Sequence, residues 1–227
     1  MTAELARESL TRSVEDYLKA IYLLAPEGQA ASTTQIAQRL DLSAPSVSGM
    51  IRRLSEQGLL EHVPYKGVVL TADGRRVALR MLRRHRLLEA YLVEFLGYTW
   101  DTVHDEAERL EHAVSDMLIE RMAHALGHPR VDPHGDPIPA SDGSIEEVPH
   151  APLTEVHEGE TVTICRADTA DADVLRYIAS SALMPGTRVT VLEHQPFHGP
   201  IRLQVDAGER VIGHELAQVL LCAREES

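Results

Sequence analysis

The sequence predicts a mainly α protein with β structure, ordered as an N-terminal winged helix-turn-helix, a helical domain and a small β-barrel. Three observations carry this. Residues 13–57 hold three short amphipathic helical patterns, and two β-rich runs follow around a turn at Lys66-Gly67. Longer helical periodicity then extends over about 72–126. Beyond residue 150 the pattern changes to several short β-runs, which points to a small β-barrel. The expected domains are 1–73 for the winged helix-turn-helix, 74–140 for the helical domain and 151–227 for the barrel, with 141–150 as a linker.

A chain of 227 residues accommodates two or three small domains, and 44% hydrophobic with 25% charged residues is ordinary for globular protein. Apolar runs fall well short of the roughly 18 residues of a membrane span, and Met1–Thr11 lacks a basic-then-apolar signal pattern. A cytoplasmic location with no membrane partner is therefore expected. Cys165 and Cys222 have no paired-thiol or zinc spacing and are expected as buried thiols. The net charge of −13 hides an asymmetry, because residues 32–90 carry ten lysines and arginines against five acidic residues. A basic segment on an acidic body points to a polyanion partner for that segment.

Residues 13–25 place Val14, Tyr17, Leu18, Ile21 and Tyr22 at helical spacing, with Ser13 as the expected cap and Pro26–Gly28 as the stop. Thr33 or Thr34 is expected to cap a short helix ending at Leu40. After a turn, Ser43 caps a helix over Ala44–Gln57, with Pro45 in its first turn, where a missing N–H costs nothing. The runs Leu59–Pro64 and Gly67–Leu70 form the wing. Helix, helix-turn-helix and hairpin in this order, with the basic excess, read as a winged-helix DNA reader.

Thr71 caps a long helix over about 72–96, and another starts at Thr99 or Asp101 and is expected to persist to about Leu126. The stretch His104–His112 organises the rest. Val103, Ala107, Leu110, Val114 and Met117 form its apolar stripe. About a third of a turn away, His104, Glu108, Glu111 and His112 form a second stripe made only of imidazoles and carboxylates. These are the groups that bind divalent cations. His85 and Glu89 sit one turn apart on the preceding helix. Gly127–His150 is rich in proline, glycine and aspartate and reads as a linker. Beyond it, β-runs at Thr161–Cys165, Thr187–Leu192, Ile201–Val205 and Val219–Cys222 accompany one helix over about Asp173–Ala182.

Together, the winged helix, the His/Glu pairs and the β-rich tail resemble the diphtheria-toxin-repressor family of metal-dependent repressors over nearly the whole chain. The resemblance is sharpest in Arg84–Glu89, Val103–His112 and His134–Pro139, and Val14–Leu18 looks like the family's first helix. It implies a FeoA-like barrel and two metal sites. The primary site would draw on Asp16, Glu108, Glu111 and His112, and the second on His85, Glu89 and His104, with Asp171 as a candidate from the β domain. The iron-sensing branch has Met and Cys where this chain has Asp16 and Glu108, whereas the manganese-sensing branch has Asp and Glu. Hard oxygen donors in place of sulfur suit Mn²⁺, with Fe²⁺ the alternative, at two ions per protomer. Two positions depart from the family pattern: small manganese sensors have a glutamate where this chain has Lys19, and the iron branch has a glutamine where it has Gly49.

The resemblance implies a homodimer on a pseudo-palindromic double-stranded operator, joined through the apolar faces around Leu87–Leu96 and Val114–Met122. Thr33, Thr34, Ser43, Pro45, Ser46 and Ser48 are candidates for DNA contact, and Arg52, Arg53 and Lys66 for the phosphates. The reading is a manganese-responsive repressor controlling metal homeostasis, and not an enzyme. The alternatives are an iron-responsive repressor, a helical di-metal carboxylate enzyme and a metal-independent winged-helix regulator.

Overall fold

Thr11, rather than Ser13, precedes the first helix α1 (Arg12–Leu24), and its side chain makes no capping bond. The structure is a computed structural model that describes residues 11–25, 29–146 and 148–224. The expected stop at Pro26–Gly28 and the tail beyond Arg224 lie outside the described residues. Along α1, Val14, Tyr17, Leu18 and Ile21 are buried, and Lys19 with them.

The chain divides into two compact units, the first comprising residues 1–84 and 139–144, the second 85–138 and 145–227. In the first unit, α2 (Thr33–Leu40) is capped one residue earlier than the sequence indicates. Ser32 Oγ accepts from Gln35 N, while Gln35 Oε1 accepts from Ser32 N. This reciprocal pair satisfies two N–H groups that a threonine cap at position 33 or 34 would have left to solvent. The helix α3 (Ala44–Glu56) starts at Ser43 as expected and buries Val47, Ile51 and Leu54. Strands β1 (Leu60–Val63) and β2 (Gly67–Leu70) pair antiparallel as the wing. Ala31 and Val68 then exchange two backbone hydrogen bonds of 2.9 and 3.0 Å, which tie the wing to the segment before α2. Only glycine fits at position 67, because a Cβ there would stand 2.1 Å from the Ala31 carbonyl oxygen.

The long helix α4 (Ala72–Leu96) starts at Thr71, whose Oγ1 accepts from Gly74 N. The single helix expected over about 99–126 is two: α5 (Val103–Leu110) and α6 (Asp116–Ala125). Ser115 caps α6, accepting from Leu118 N, so residues 111–115 form a turn. The apolar periodicity survives the break, which is why the sequence conceals it. Ala107, Ile119 and Ala123 still reach one core with Leu87, Leu88 and Ile138. That core takes Leu87 and Leu88 out of the expected dimer surface, while Phe95, Leu96, Met117 and Leu118 remain exposed.

The C-terminal β domain is a six-stranded antiparallel sheet. Its strands are β3 (Ala151–Pro152), β4 (Thr161–Ala167), β5 (Arg188–His194), β6 (Ile201–Val205), β7 (Gly208–Ile212) and β8 (Leu220–Arg224), in the order β3-β8-β4-β5-β6-β7. The sequence reading passes over β7 and α8 (His214–Val219). The core includes Val162, Ile164, Val189, Val191, Leu203 and Leu220, with Leu175 and Ile178 from α7 (Ala172–Ser180). Trp100, from the loop after α4, is part of this same core.

The segment from Gly127 is not merely a linker. Over 130–138 it folds into a tight loop, with Ile138 N donating to Arg130 O, Asp132 N to Asp136 O, and a bridge between Val131 and Pro137. The prolines and glycine that signal a tether here build a turn. Gly135 has φ +87°, and a Cβ on it would lie 1.9 Å from the Cys165 carbonyl oxygen of β4. Ala167 N donates to the His134 carbonyl at 3.0 Å, fixing the loop against the sheet. A left-handed conformation and a backbone clash make Gly135→Ala destabilising by at least about 2 kcal/mol. Chemical denaturation of the metal-free protein checks this, and an unchanged midpoint would contradict the packing.

Candidate metal centre

Within the second unit, α4 delivers His85 and Glu89 one turn apart on the side that α5 faces, and α5 delivers His104 and Glu108 at the same spacing. Glu111 and His112 follow at the end of α5, in the turn that separates it from α6. His85 Nε2 lies 2.9 Å from Glu89 Oε1 and 3.1 Å from His104 Nδ1, which is itself 3.0 Å from the same Glu89 oxygen. His85 Nδ1 is 2.6 Å from Glu111 Oε2. Glu108 Oε1 completes the group, 3.7 Å from His85 Nδ1 and 3.9 Å from His104 Nε2. His112 Nε2 stands 3.4 Å from Glu111 Oε1.

Two residues that the sequence reading left in the linker join this cluster. His134 Nδ1 is 3.7 Å from Glu89 Oε2, and its Nε2 donates to the Trp100 carbonyl at 2.9 Å. Asp132 Oδ1 accepts from the backbone N–H of His134 and of Asp136. Both side chains are buried. The available signal was their chemistry, an aspartate and a histidine flanking a proline, and the turn composition around them masked it.

Three imidazoles therefore surround one buried carboxylate. Burial alone would raise the Glu89 carboxyl, but the His85 charge and hydrogen bonds from His104, His134 and His85 hold it well below the usual carboxylate range. Asp132 is pushed up to about 8 by burial and by the charges of Asp136 and Glu89, against the pull of His134 and Arg86. Burial would lower His134, yet its bond to Glu89, the Glu89 and Asp132 charges and its bond to the Trp100 carbonyl raise it to about 9.

Nitrogen and carboxylate oxygen are the only donors in this cluster, and those of His85, His104 and Glu108 lie within 4.8 Å of one another. Ligands of a single cation, each about 2.0–2.3 Å from it, stand at comparable separations. The residues fit a divalent ion. His85 Nδ1 against Glu111 also supplies the carboxylate–imidazole pairing that fixes which ring nitrogen faces an ion.

Asp16 is on α1 in the first unit, partly exposed and 3.9 Å from the Arg12 guanidinium. Asp171 caps α7, its Oδ1 accepting from Asp173 N and Val174 N. Those bonds give Asp171 a local structural role, outside the cluster. In the reading head Thr33 is half-buried, while Thr34, Ser43, Pro45, Ser46, Ser48, Arg52, Arg53 and Lys66 are exposed. Several are engaged locally: the Ser43 and Ser46 hydroxyls are 2.9 Å apart, Ser48 Oγ donates to Ala44 O, and Arg52 pairs with Glu56. Tyr65 at the wing tip, passed over in the sequence, is fully exposed beside Lys66.

Family models match the chain as the DNA-binding domain of iron-dependent repressors over residues 9–68, their metal-binding and dimerisation domain over 71–140, and a FeoA domain over 151–224. The iron-dependent repressor IdeR of Mycobacterium leprae is 33% identical over 93% of this chain and 96% of its own length. The chain belongs to the diphtheria-toxin-repressor family of metal-dependent transcriptional repressors. This family consists of DNA-binding regulators, not enzymes. A solved structure of a manganese-dependent transcriptional repressor in complex with manganese is 44% identical, with a TM-score of 0.85 over 93% of this chain and all of its own. The structure of ScaR with bound Cd²⁺ is 33% identical, with a TM-score of 0.79, covering 93% of this chain and 99% of its own. The repressor has DNA and a second copy of itself as partners, through the first and second matched domains. Among the described residues no helix is long and apolar enough to cross a membrane.

Breaking a buried ionic group by removing one partner costs about 3–5 kcal/mol. Glu89→Ala leaves three imidazoles facing one another, and its thermal unfolding in chelator is expected to fall below that of the wild type by that order. An unchanged melting curve would mean that Glu89 does not hold the cluster.

Proposed function

We propose that the repressor is manganese-responsive and that cation binding brings it to its DNA-competent state. The observation that carries this is the donor set, carboxylate and imidazole throughout, with no cysteine in these groups among the described residues. The primary site draws on Asp16, Glu108, Glu111 and His112 and the second on His85, Glu89 and His104, with the Glu108 carboxylate also converging on His85 and His104, for two ions per protomer. Hard carboxylates at 16 and 108 remove the advantage that thiolate or thioether gives to softer metals. The manganese-dependent neighbour, at 44% identity, supports the same reading.

A bound ion supplies positive charge that cancels the repulsion of the gathered carboxylates and so favours the arrangement in which they converge. Glu111 and His112 sit in the turn after α5, where the polypeptide is set by Ser115 and the core beneath. His85 holds Glu111 from one side while facing Glu89 with its other nitrogen. Asp16 belongs to the helix that opens the DNA-binding domain. Fixing α1 biases the orientation of the reading head, a population shift whose size is set by the difference in metal affinity between the two states. A homodimer then presents its two α3 helices to successive major grooves of a pseudo-palindrome. Pro45, Arg53 and Lys66, all exposed, are the candidates to meet DNA, and basic contacts to phosphate would make binding salt-dependent.

The iron-dependent names of the family models and of IdeR favour an iron-responsive reading as the second choice. Because Mn²⁺ stands lowest in the divalent affinity order, discrimination must be read at buffered free-metal concentrations rather than from tightness alone. Exchanging Glu108 for cysteine separates the two readings. Glu108→Cys is expected to lower the free Fe²⁺ needed for half-maximal DNA binding relative to free Mn²⁺ by about tenfold or more, the effect of roughly 1.4 kcal/mol at one ligand. Fluorescence anisotropy on metal-transporter promoter fragments gives both midpoints. An unchanged ratio would remove Glu108 from the site that selects the metal.

A further inference from the structure

We propose that His198 and His214 form a surface site on the β domain for a late first-row divalent metal, with zinc as the ion that fits it. The site is independent of the metal-sensing reading above and lies on other elements. The sheet brings the two residues together. His198 belongs to the loop 195–200 that joins β5 to β6, and His214 is the first residue of α8, just after β7. Ile201 of β6 pairs with Ile212 of β7, so the end of that loop and the start of α8 are neighbours. The two rings stand 4.6 Å apart between centroids, at 65° to each other. His85 and His104, in the cluster between α4 and α5, stand at 4.8 Å and 67°. A zinc ion holds each imidazole nitrogen at about 2.0–2.1 Å, which puts two ring centres roughly 4.5–5.2 Å apart for angles between a right angle and a tetrahedral one. The pair has the spacing of two ligands on one ion.

Both rings are open to an ion. Among the described residues neither has a hydrogen-bond or ion-pair partner, and His198 is exposed while His214 is half-buried. The loop holds His198 in an unfavourable backbone conformation, since Phe197 and His198 both have positive φ, 61° and 55°. Two backbone bonds keep it there, Gly199 N to Pro196 O and Gln195 N to Pro200 O, each 3.1 Å. The closure is tight, because a Cβ at position 199 would stand 2.8 Å from Gln195 Cβ and 3.0 Å from the Pro196 carbonyl oxygen. Strain of this kind gathers at ligand clamps, and edge-to-face packing of two partly exposed rings is a smaller effect than the strain of two such residues. Among the described residues no carboxylate or third imidazole converges with the pair, so water completes the coordination. Two nitrogen donors without a hard oxygen favour zinc over Mn²⁺, which lies at the bottom of the affinity order.

Full-length protein stripped of metal is equilibrated with buffered micromolar free Zn²⁺. Ions per chain are counted by mass spectrometry, and labelling with diethyl pyrocarbonate maps which imidazoles remain open. Wild type is expected to hold one zinc ion more than His198→Asn or His214→Gln, and zinc is expected to protect both rings from the reagent. Mn²⁺ at the same free concentration is expected to protect neither. Asparagine tolerates the left-handed backbone at position 198. Circular dichroism checks that each variant folds, and labelling of the wild type tests the site if one does not. Equal ion counts in wild type and folded variants overturn the proposal, as does labelling of the two rings that zinc leaves unchanged. Protection of one ring alone overturns the shared site, and equal protection by Mn²⁺ overturns its assignment to a late metal.

Discussion

One buried carboxylate, Glu89, sets the terms for the second unit. It is surrounded by His85 and His104 from the helices and His134 from the loop. An ionised group at this depth is tolerated only because those imidazoles face it. The constraint reaches outward in two directions. Through His85 it extends to Glu111 and the turn where α5 ends. Through His134 it extends to the Trp100 carbonyl, and the Trp100 indole, donating to Pro133 O, lies in the core of the β domain.

The β domain is thus more than an appendage to a metal-binding helical pair. Its strand β4 receives Gly135 at a distance no other residue permits, and Arg166 reaches Asp136 at 2.8 Å. Arg86, from the same helix as His85 and Glu89, meets Asp132, Asp136 and the Pro137 carbonyl on the other side of the loop. Charge pairing and backbone hydrogen bonds hold the loop 130–138 between helix and sheet, so the chemistry of the cluster and the docking of the β domain share residues. In the first unit, the capping box of Ser32 with Gln35, and Gly67 against Ala31, give α3 a fixed platform. The reading head owes its geometry to helix capping, to this close backbone approach and to its own buried core.

The sequence reveals the parts that periodicity and spacing control. The winged helix was legible because three amphipathic helices and a glycine turn each leave a local signature, and His85, Glu89, His104 and Glu108 because helical spacing puts each pair on one face. What it conceals has physical reasons. Thr33 and Thr34 are as chemically fit as Ser32 to cap α2, and only the reciprocal bond to Gln35 decides for Ser32. The break at 111–115 hides because Val114 and Met122 keep the apolar phase across it. Asp132 and His134 hide because proline and glycine are shared by tethers and tight turns, and the distinction lies in contact with Cys165 and Trp100, far away in sequence. Asp171, a candidate only as an acidic group of the β domain, caps α7 with its carboxylate.

The central claim is that a divalent cation drawn to these carboxylates and imidazoles controls the reading head. The most direct measurement is the affinity of the full-length protein for a labelled metal-transporter promoter fragment, first in chelator and then across buffered free Mn²⁺. The account predicts weak, salt-sensitive, sequence-independent binding in chelator and a rise of at least about a hundredfold as Mn²⁺ saturates the sites, since a coupling of ~3 kcal/mol corresponds to that factor. Equal affinity in chelator and in manganese would contradict it, leaving a winged helix that reads DNA without a sensor.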